Sequence, residues 1–263
     1  MRSEKMLAAR SQRLEGTNPR AVGRAKARQA LEWVYRWGWA SHKTIDGLAG
    51  VKRRGLAAKL ARQGLLQATR TESGGAVDDV PGHILTLTKL GQAEVEKWRE
   101  ELLQYDVDPY RVRQDLLRHN ELAQRATASA LANGKIVGYE TEKEMCAKSE
   151  KGVKQPDAAW QLQDGKRVAV EIELSGKWAR DLDQFILACV SALSSSENEQ
   201  ARFNLLALVT DSPAIQKRYK SAFTAGTKYG HWQKDSRGRW TRMGTNEVPA
   251  WMKGKVLWRL IES

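Results

Sequence analysis

Apolar and polar residues alternate from position 156 to position 177, on both sides of the pair Asp164–Gly165. Alternation with a period of two is typical of a β-strand, and Asp-Gly is a strong signal for a tight turn. One face of the second strand is aliphatic and holds Val168, Val170, Ile172 and Leu174. The other face holds Ala169, Glu171 and Glu173. We therefore predict a β-hairpin with two acidic residues along one face. These residues either converge with an Asp of the neighbouring strand on a divalent metal ion or form an acidic face of a half-exposed hairpin towards solvent.

Three helical patterns occupy the N-terminal part of the chain. They follow a basic segment, residues 1–20, which is either a phosphate-binding arm or a solvated tail. The spacing of apolar residues predicts a helix over 21–38. Ser41 can cap a short helix over Thr44–Leu48. A third helix is expected over 52–63, with its leucines facing inward and its basic side chains facing outward.

Two strand patterns follow, at 65–69 and 83–87, and they enclose a loop rich in Gly and Asp. Thr88 can cap a last helix that runs to about residue 103, and we expect Trp98 and Leu102 to pack back from it. The order of these elements over residues 21–103 resembles the winged helix-turn-helix fold.

The winged-helix resemblance implies that the 52–63 helix enters the major groove of double-stranded DNA and that the 70–82 loop contacts the backbone or the minor groove. A winged helix that serves protein contacts or dimerisation is the alternative, and the basic helix favours DNA. The candidate DNA-binding residues in this part are Lys52, Arg53, Arg54, Lys59, Arg62 and Arg70.

The chain after a linker at 104–110 predicts a second domain over residues 111–263. A helix is expected over 111–133, a strand over 136–139 and a polar loop over 145–155, before the acidic hairpin. A helix over 178–193 and a buried central strand over 203–210 follow, and Asp211-Ser212-Pro213 caps a further helix. The expected fold class is α+β.

The C-terminal extension is basic and contains Trp232, Trp240, Trp251 and Trp258. Trp258 lies in a strand pattern. The remaining tryptophans alternate with basic residues, of which Lys234, Arg237 and Arg239 are candidate DNA-binding residues. They either stack on bases of single-stranded DNA or stabilise a hairpin that covers the sheet.

The formal net charge of the 263-residue chain is +13, and it is unevenly distributed. Residues 1–63 and 212–263 are strongly basic, whereas residues 111–211 hold nearly equal numbers of acidic and basic side chains. Such basic segments favour a polyanionic partner, because Lys and Arg displace counterions from phosphates. Two cysteines without metal-ligand spacing and no long apolar run predict a reduced, cytoplasmic protein without a membrane partner.

The element order after residue 110 and the acidic hairpin together resemble the PD-(D/E)xK nuclease superfamily, whose fold is restriction-endonuclease-like with an αβββαβ core. Pro156-Asp157 opens one strand, and Glu171-x-Glu173 lies on the next. The resemblance implies that Asp157, Glu171 and Glu121 bind Mg²⁺ (or Mn²⁺) for phosphodiester hydrolysis. His119 is near Glu121 in the same helix and is either a neighbour of this site or a structural residue.

The chain departs from the superfamily pattern at one position, because Glu173 stands where a lysine is usual. Lys177, just before the next helix, is the residue that can reach into this place. The pairing register of the hairpin also matters. A three-residue loop at 164–166 would pair Asp157 with Glu173 and place all three acids on one face, so we predict a three-residue loop or a bulge.

A winged helix followed by Glu140-x-Glu142, a Pro-Asp strand and a Glu-x-Glu strand resembles the replication-relaxation family, which includes MobC-type plasmid mobilisation relaxases. This resemblance covers residues 25 to about 212 and implies site-specific nicking of DNA. Tyr139, Tyr219 and Tyr229 are equivalent candidates if a tyrosine is the nucleophile. A non-catalytic DNA-binding accessory or replication factor and a restriction-type endonuclease are the alternatives. The expected partner is double-stranded DNA, and single-stranded DNA, a second copy in a homodimer and proteins of a mobilisation complex are further candidates.

Overall fold

The computed structural model describes residues 18–50, 55–149, 155–195 and 200–261. It is an α+β structure that divides into two compact units. The first unit runs to Ala76 and includes Pro81–Gln114, and the second comprises Val77–Val80 and the chain from Asp115 onward.

The described residues of the first unit begin with three helices: α1 (Pro19–Trp37), α2 (His42–Leu48) and α3 (Leu56–Arg62). The Asn18 side chain accepts a hydrogen bond from the Arg20 N–H at the start of α1, and Ser41 does the same for Thr44 in α2. The helices predicted over 21–38 and 44–48 are confirmed, including the Ser41 cap. The predicted start of the third helix falls on residues 51–54, outside the described residues.

An antiparallel hairpin of β1 (Leu66–Arg70) and β2 (His83–Leu87) follows, as predicted. Ala40 adds a single bridge to Leu85 on the other side of β2. The next helix, α4 (Lys89–Glu96), is capped by Thr88 as expected but ends seven residues before the predicted end. Leu102 was expected to pack back, but 64% of it is exposed, and Leu103 is buried in its place.

Contacts made by Tyr35 and Tyr105 account for the early end of helix α4. The Leu103 N–H donates to the Tyr35 hydroxyl, and that hydroxyl donates to the Leu103 carbonyl, both at 2.9 Å. Tyr105 stacks on Tyr35, with ring centroids 5.4 Å apart. These contacts pack the beginning of the 104–110 segment against the first unit.

The second unit begins with α5 (Leu117–Ala132). The predicted helix over 111–133 is wrong at its start, because two short 3-10 turns, Pro109–Arg111 and Gln114–Leu116, precede α5. Strand β3 (Gly138–Thr141) lies two residues later than predicted. It leads directly into α6 (Glu142–Lys148), whose last four residues lie where the polar loop over 145–155 was predicted. Thr141 and Glu144 form a reciprocal capping box that begins α6.

One five-stranded sheet forms the centre of this unit. Its order is β3, β4 (Ala158–Gln161), β5 (Arg167–Ile172), β6 (Leu205–Thr210) and β9 (Val256–Leu260). The first three strands are antiparallel, whereas β5, β6 and β9 are parallel. Strand β5 is buried on both faces after its first residue, so the acidic face of the hairpin is not a solvent face.

Two helices connect the parallel strands: α7 (Ala179–Leu193) and α8 (Pro213–Ala222). The predicted helix over 178–193, the buried strand at 203–210 and the Ser212 cap are confirmed. Apolar side chains of α7 pack with Ala159, Ala169 and Leu206 in one core. That face of β5 also carries Glu171.

The C-terminal segment forms a second hairpin, β7 (Lys228–Lys234) and β8 (Trp240–Glu247), outside the main sheet. The Trp232 indole N–H donates to the Asp183 carboxylate of α7 at 2.9 Å, which ties the hairpin to that helix. Trp258 lies in β9, as predicted. A hairpin is therefore present at this place, as the second alternative expected; Trp232 binds a helix, and Trp240 lies on the surface.

Replacing Trp160 with Phe tests the packing of α5 on the sheet. The buried Trp160 indole donates to the buried Thr127 hydroxyl at 2.9 Å. Loss of this donor should lower the free energy of unfolding by about 1–3 kcal/mol, measured by urea denaturation with circular dichroism. Trp251→Phe is the matched control at an exposed site and should change it by less than about 0.5 kcal/mol. Equal midpoints for the two variants would contradict this account.

Candidate functional site

The register of the acidic hairpin decides which carboxylates lie side by side. Ala158 pairs with Val170, and Gln161 pairs with Arg167. The loop is three residues long, as predicted, but it comprises residues 163–165. The Gly165 N–H donates to the Leu162 carbonyl at 3.1 Å, and Gly165 has a φ of 81° that favours glycine. The predicted position of the loop is wrong by one residue.

This register brings Asp157 level with Glu171, not with Glu173. Asp157 comes just before β4, and continuing the observed pairing by one step matches it to Glu171 on β5. Paired positions lie on the same face of a sheet, so the expectation that Asp157 and Glu171 share a face holds for the backbone positions.

The Asp157 carboxylate is already engaged in two contacts. Its Oδ2 accepts a hydrogen bond from the Ile172 N–H at 2.7 Å and lies 3.3 Å from Nε2 of His119 on α5. Burial by itself lowers the pKa of His119, but the hydrogen bond and the charge of Asp157 outweigh it and raise the pKa to about 9. The pair is therefore an imidazolium and a carboxylate at neutral pH.

Glu173 is held by a second set of donors. It is only 4% exposed, and its N–H donates to the Val209 carbonyl just beyond the end of β5. Lys177 donates its ammonium protons to both carboxylate oxygens, and the Tyr219 hydroxyl donates at 2.9 Å. The Lys177 ammonium thus contacts the side chain of Glu173, the residue that the sequence places where a lysine was expected.

Burial raises the pKa of Tyr219, and the negative charge of Glu173 raises it further. Its hydroxyl therefore stays protonated and serves as a donor to Glu173. Burial also raises the pKa of Tyr229, so this property does not distinguish the two tyrosines.

Glu171 and Glu121, the other expected metal ligands, are both buried. Glu171 lines a cavity with Pro156, Arg202 and apolar residues of α7. Within the described parts of the chain, no group of three or more His, Cys, Asp or Glu side chains is placed to hold a metal ion. Asp157, Glu171 and Glu121 are thus not assembled into a three-ligand centre in this arrangement.

The expected DNA-binding residues lie in both units. Lys59 and Arg62 are exposed on α3, and Arg70 is exposed at the end of β1. Lys234, Arg237 and Arg239 are exposed on the β7–β8 hairpin of the second unit, where Arg239 pairs with Asp235 at 3.0 Å. Lys52, Arg53 and Arg54 lie outside the described residues.

Trp178 and Arg218 form a close cation–π contact, and neither residue was expected from the sequence to be functional. The Arg218 guanidinium carbon lies 3.4 Å from the centroid of the Trp178 ring, and Trp178 is exposed. The sequence signal that could have identified Trp178 is its place just before α7, off the apolar face of that helix.

Comparisons with protein-family models, with curated proteins and with solved structures find no match for this chain. Among the described residues, none of the helices combines the length and the apolar character needed to cross a membrane.

The His119–Asp157 pair predicts a pH-dependent contribution to stability. A folded pKa of about 9, above the ordinary value near 6.5, means that the contribution is complete below about pH 6.5 and disappears as the pH rises through about 9. In metal-free buffer, His119→Gln should lower the free energy of unfolding by up to about 3 kcal/mol near pH 6.5 and by much less near pH 10.

Urea denaturation at the two pH values measures this difference. His231→Gln, at a half-buried histidine on β7 of the same unit, is the matched control and should show no such pH-dependent loss. An effect of His119→Gln that is equal at both pH values would rule out a stabilising ion pair.

Proposed function

We propose that this protein is a site-specific DNA-binding protein that nicks DNA, of the relaxase type that acts in plasmid mobilisation or replication. The first unit binds double-stranded DNA as a winged helix-turn-helix domain. The second unit, with a PD-(D/E)xK-like core, carries the site for strand cleavage. Each part of the proposal has its own support.

The winged-helix assignment is supported by the order of elements in the first unit. Helices α1 to α3 precede the β1–β2 hairpin, and Ala40 forms a single bridge to Leu85 beside β2. The exposed cations on α3, Lys59 and Arg62, are suited to phosphates beside the major groove. The strongly basic composition of residues 1–63 favours the same partner.

The assignment of a cleavage site rests on one observation above all. The central hairpin brings Asp157 level with Glu171, and Lys177 delivers an ammonium group to Glu173, two residues further along the chain. Two carboxylates with an adjacent lysine are the groups that the resemblance to PD-(D/E)xK nucleases requires. The lysine comes from the segment before α7 and not from the strand.

The donor chemistry of Asp157 and Glu171 fits Mg²⁺ or Mn²⁺. Mg²⁺ prefers oxygen ligands and is commonly held by one or two carboxylates, with water and substrate phosphate as the remaining ligands, so a third protein ligand is not required. When bound, the ion supplies a water of lowered pKa and neutralises charge on the phosphate. Lys177 would position the phosphate, and Tyr219 and Glu173 would hold Lys177 in place.

A second candidate function is non-catalytic DNA binding on a degenerate nuclease fold. It is favoured by the ion pair of Asp157 with His119, which occupies a carboxylate that the metal would need. In that case the same two units would serve replication or mobilisation as an accessory factor.

Incubation with supercoiled plasmid that carries the protein's own DNA site distinguishes these functions. We expect nicked circles with Mg²⁺ or Mn²⁺ and none with EDTA. Asp157→Asn and Glu171→Gln should each reduce the rate by more than about 100-fold, because the oxygen ligands that stabilise the transition state are lost. Asp164→Asn, in the exposed loop of the same hairpin, is the matched control and should cleave normally.

The remaining outcomes of the plasmid assay select among the alternatives. Linear product would support a restriction-type endonuclease. Tight binding without cleavage on any substrate would reject the nickase and support the accessory factor.

Duplex binding has a separate test in the salt dependence of affinity. The double variant Lys59→Ala, Arg62→Ala should bind duplex DNA more weakly, and its log–log salt slope should be shallower by about 0.9 for each phosphate contact removed. Lys89→Ala is the control, because Lys89 is an exposed lysine at the start of α4 and its replacement also removes a positive charge. A salt-independent affinity of the native protein would reject DNA as the partner.

A further inference from the structure

Trp178 is the most exposed tryptophan among the described residues, with 68% of its surface accessible. It is the N-cap residue of α7, directly after Lys177. The Arg218 guanidinium of α8 stacks against its ring at 3.4 Å from the centroid. Burial of an indole is strongly favourable, so the exposure of the Trp178 ring beside a cation indicates a function for it.

The backbone around Trp178 is fixed on both sides. Arg218 Nε donates to the Lys177 carbonyl at 3.0 Å, and the Lys177 N–H donates to the Tyr219 hydroxyl at 3.3 Å. The residue after Trp178, Ala179, has a φ of 44°, in the left-handed region that residues with a Cβ seldom adopt. The backbone is therefore locally strained next to the exposed indole.

A second exposed tryptophan lies beside the same end of α7. Trp240 is 37% exposed, and its ring is approached by the Arg180 guanidinium at 5.4 Å and the Lys234 ammonium at 5.3 Å. The Trp232–Asp183 hydrogen bond holds this hairpin against α7. We call the set of Trp178, Arg218, Arg180, Trp240 and Lys234 the Trp178 surface.

We propose that the Trp178 surface binds single-stranded DNA. Exposed indoles offer faces on which unpaired bases stack, and the three cations neutralise the phosphates between them. Bases in a duplex are already stacked on one another, so a flat aromatic surface selects for an unpaired strand. The choice of DNA rests on the proposed function, in which a strand is opened next to Lys177.

Fluorescence anisotropy with the full-length protein and a labelled oligothymidylate tests this proposal. Trp178→Ala should weaken single-strand binding about tenfold, which corresponds to the loss of one stacked base. Trp178→Phe should retain most of the affinity because it keeps an aromatic face. Trp251→Ala, a 41% exposed tryptophan in the turn before β9, is the matched control and should bind like the native protein.

The same titrations with labelled duplex separate this proposal from the proposed function. Trp178→Ala should leave duplex affinity unchanged, since the first unit provides it. Native duplex binding without single-strand binding, or equal single-strand affinities for the native protein and Trp178→Ala, would overturn the Trp178 surface alone. Single-strand binding that depends on Trp178, without any duplex binding, would support it and reject the winged-helix proposal.

Two further measurements complete the test. The thermal unfolding midpoint of Trp178→Ala should match that of Trp178→Phe, so that a loss of affinity reports stacking and not unfolding. Tighter binding of an oligouridylate than of the oligothymidylate would overturn the assignment of DNA as the ligand.

Discussion

Compensation of buried carboxylates is the constraint on which the centre of this protein depends. Strand β5 is buried on both faces, and carboxylates lie within it and just after it. A buried charge is tolerated only where cations or hydrogen-bond donors replace the lost water. Glu173 meets this requirement through Lys177 and Tyr219, and the half-buried Asp157 before β4 contacts His119 and the Ile172 N–H.

These compensating contacts also shape the surface. Tyr219 donates to Glu173 and accepts from the Lys177 N–H, while its neighbour Arg218 holds the Lys177 carbonyl. The end of β5, the start of α7 and helix α8 are thereby joined by one hydrogen-bond network. Because Trp178 follows Lys177 in the chain, the network that stabilises a buried acid also sets the position of an exposed indole.

Local patterns predicted much of the secondary structure. The α1 helix, the Ser41 and Thr88 caps, both strands of the first unit and the buried β6 strand depend on periodicity and on capping side chains, which act within a few residues. The missed helix α6 had a readable signal in its Thr141–Glu144 capping box. The end of α4 had no signal in the sequence, because Tyr35, which hydrogen-bonds Leu103, and Tyr105 are brought together only by folding.

The candidate site divides in the same way. Alternation and a turn signal are local, so the amino-acid pattern alone places Asp157 and Glu171 on neighbouring strands of one hairpin. Tertiary structure alone decided the register, the partners His119 and Tyr219, and the stacking of Arg218 on Trp178. The physical reason is that each of these contacts joins residues from different elements, and their geometry is set by packing around a shared core and not by neighbours along the chain.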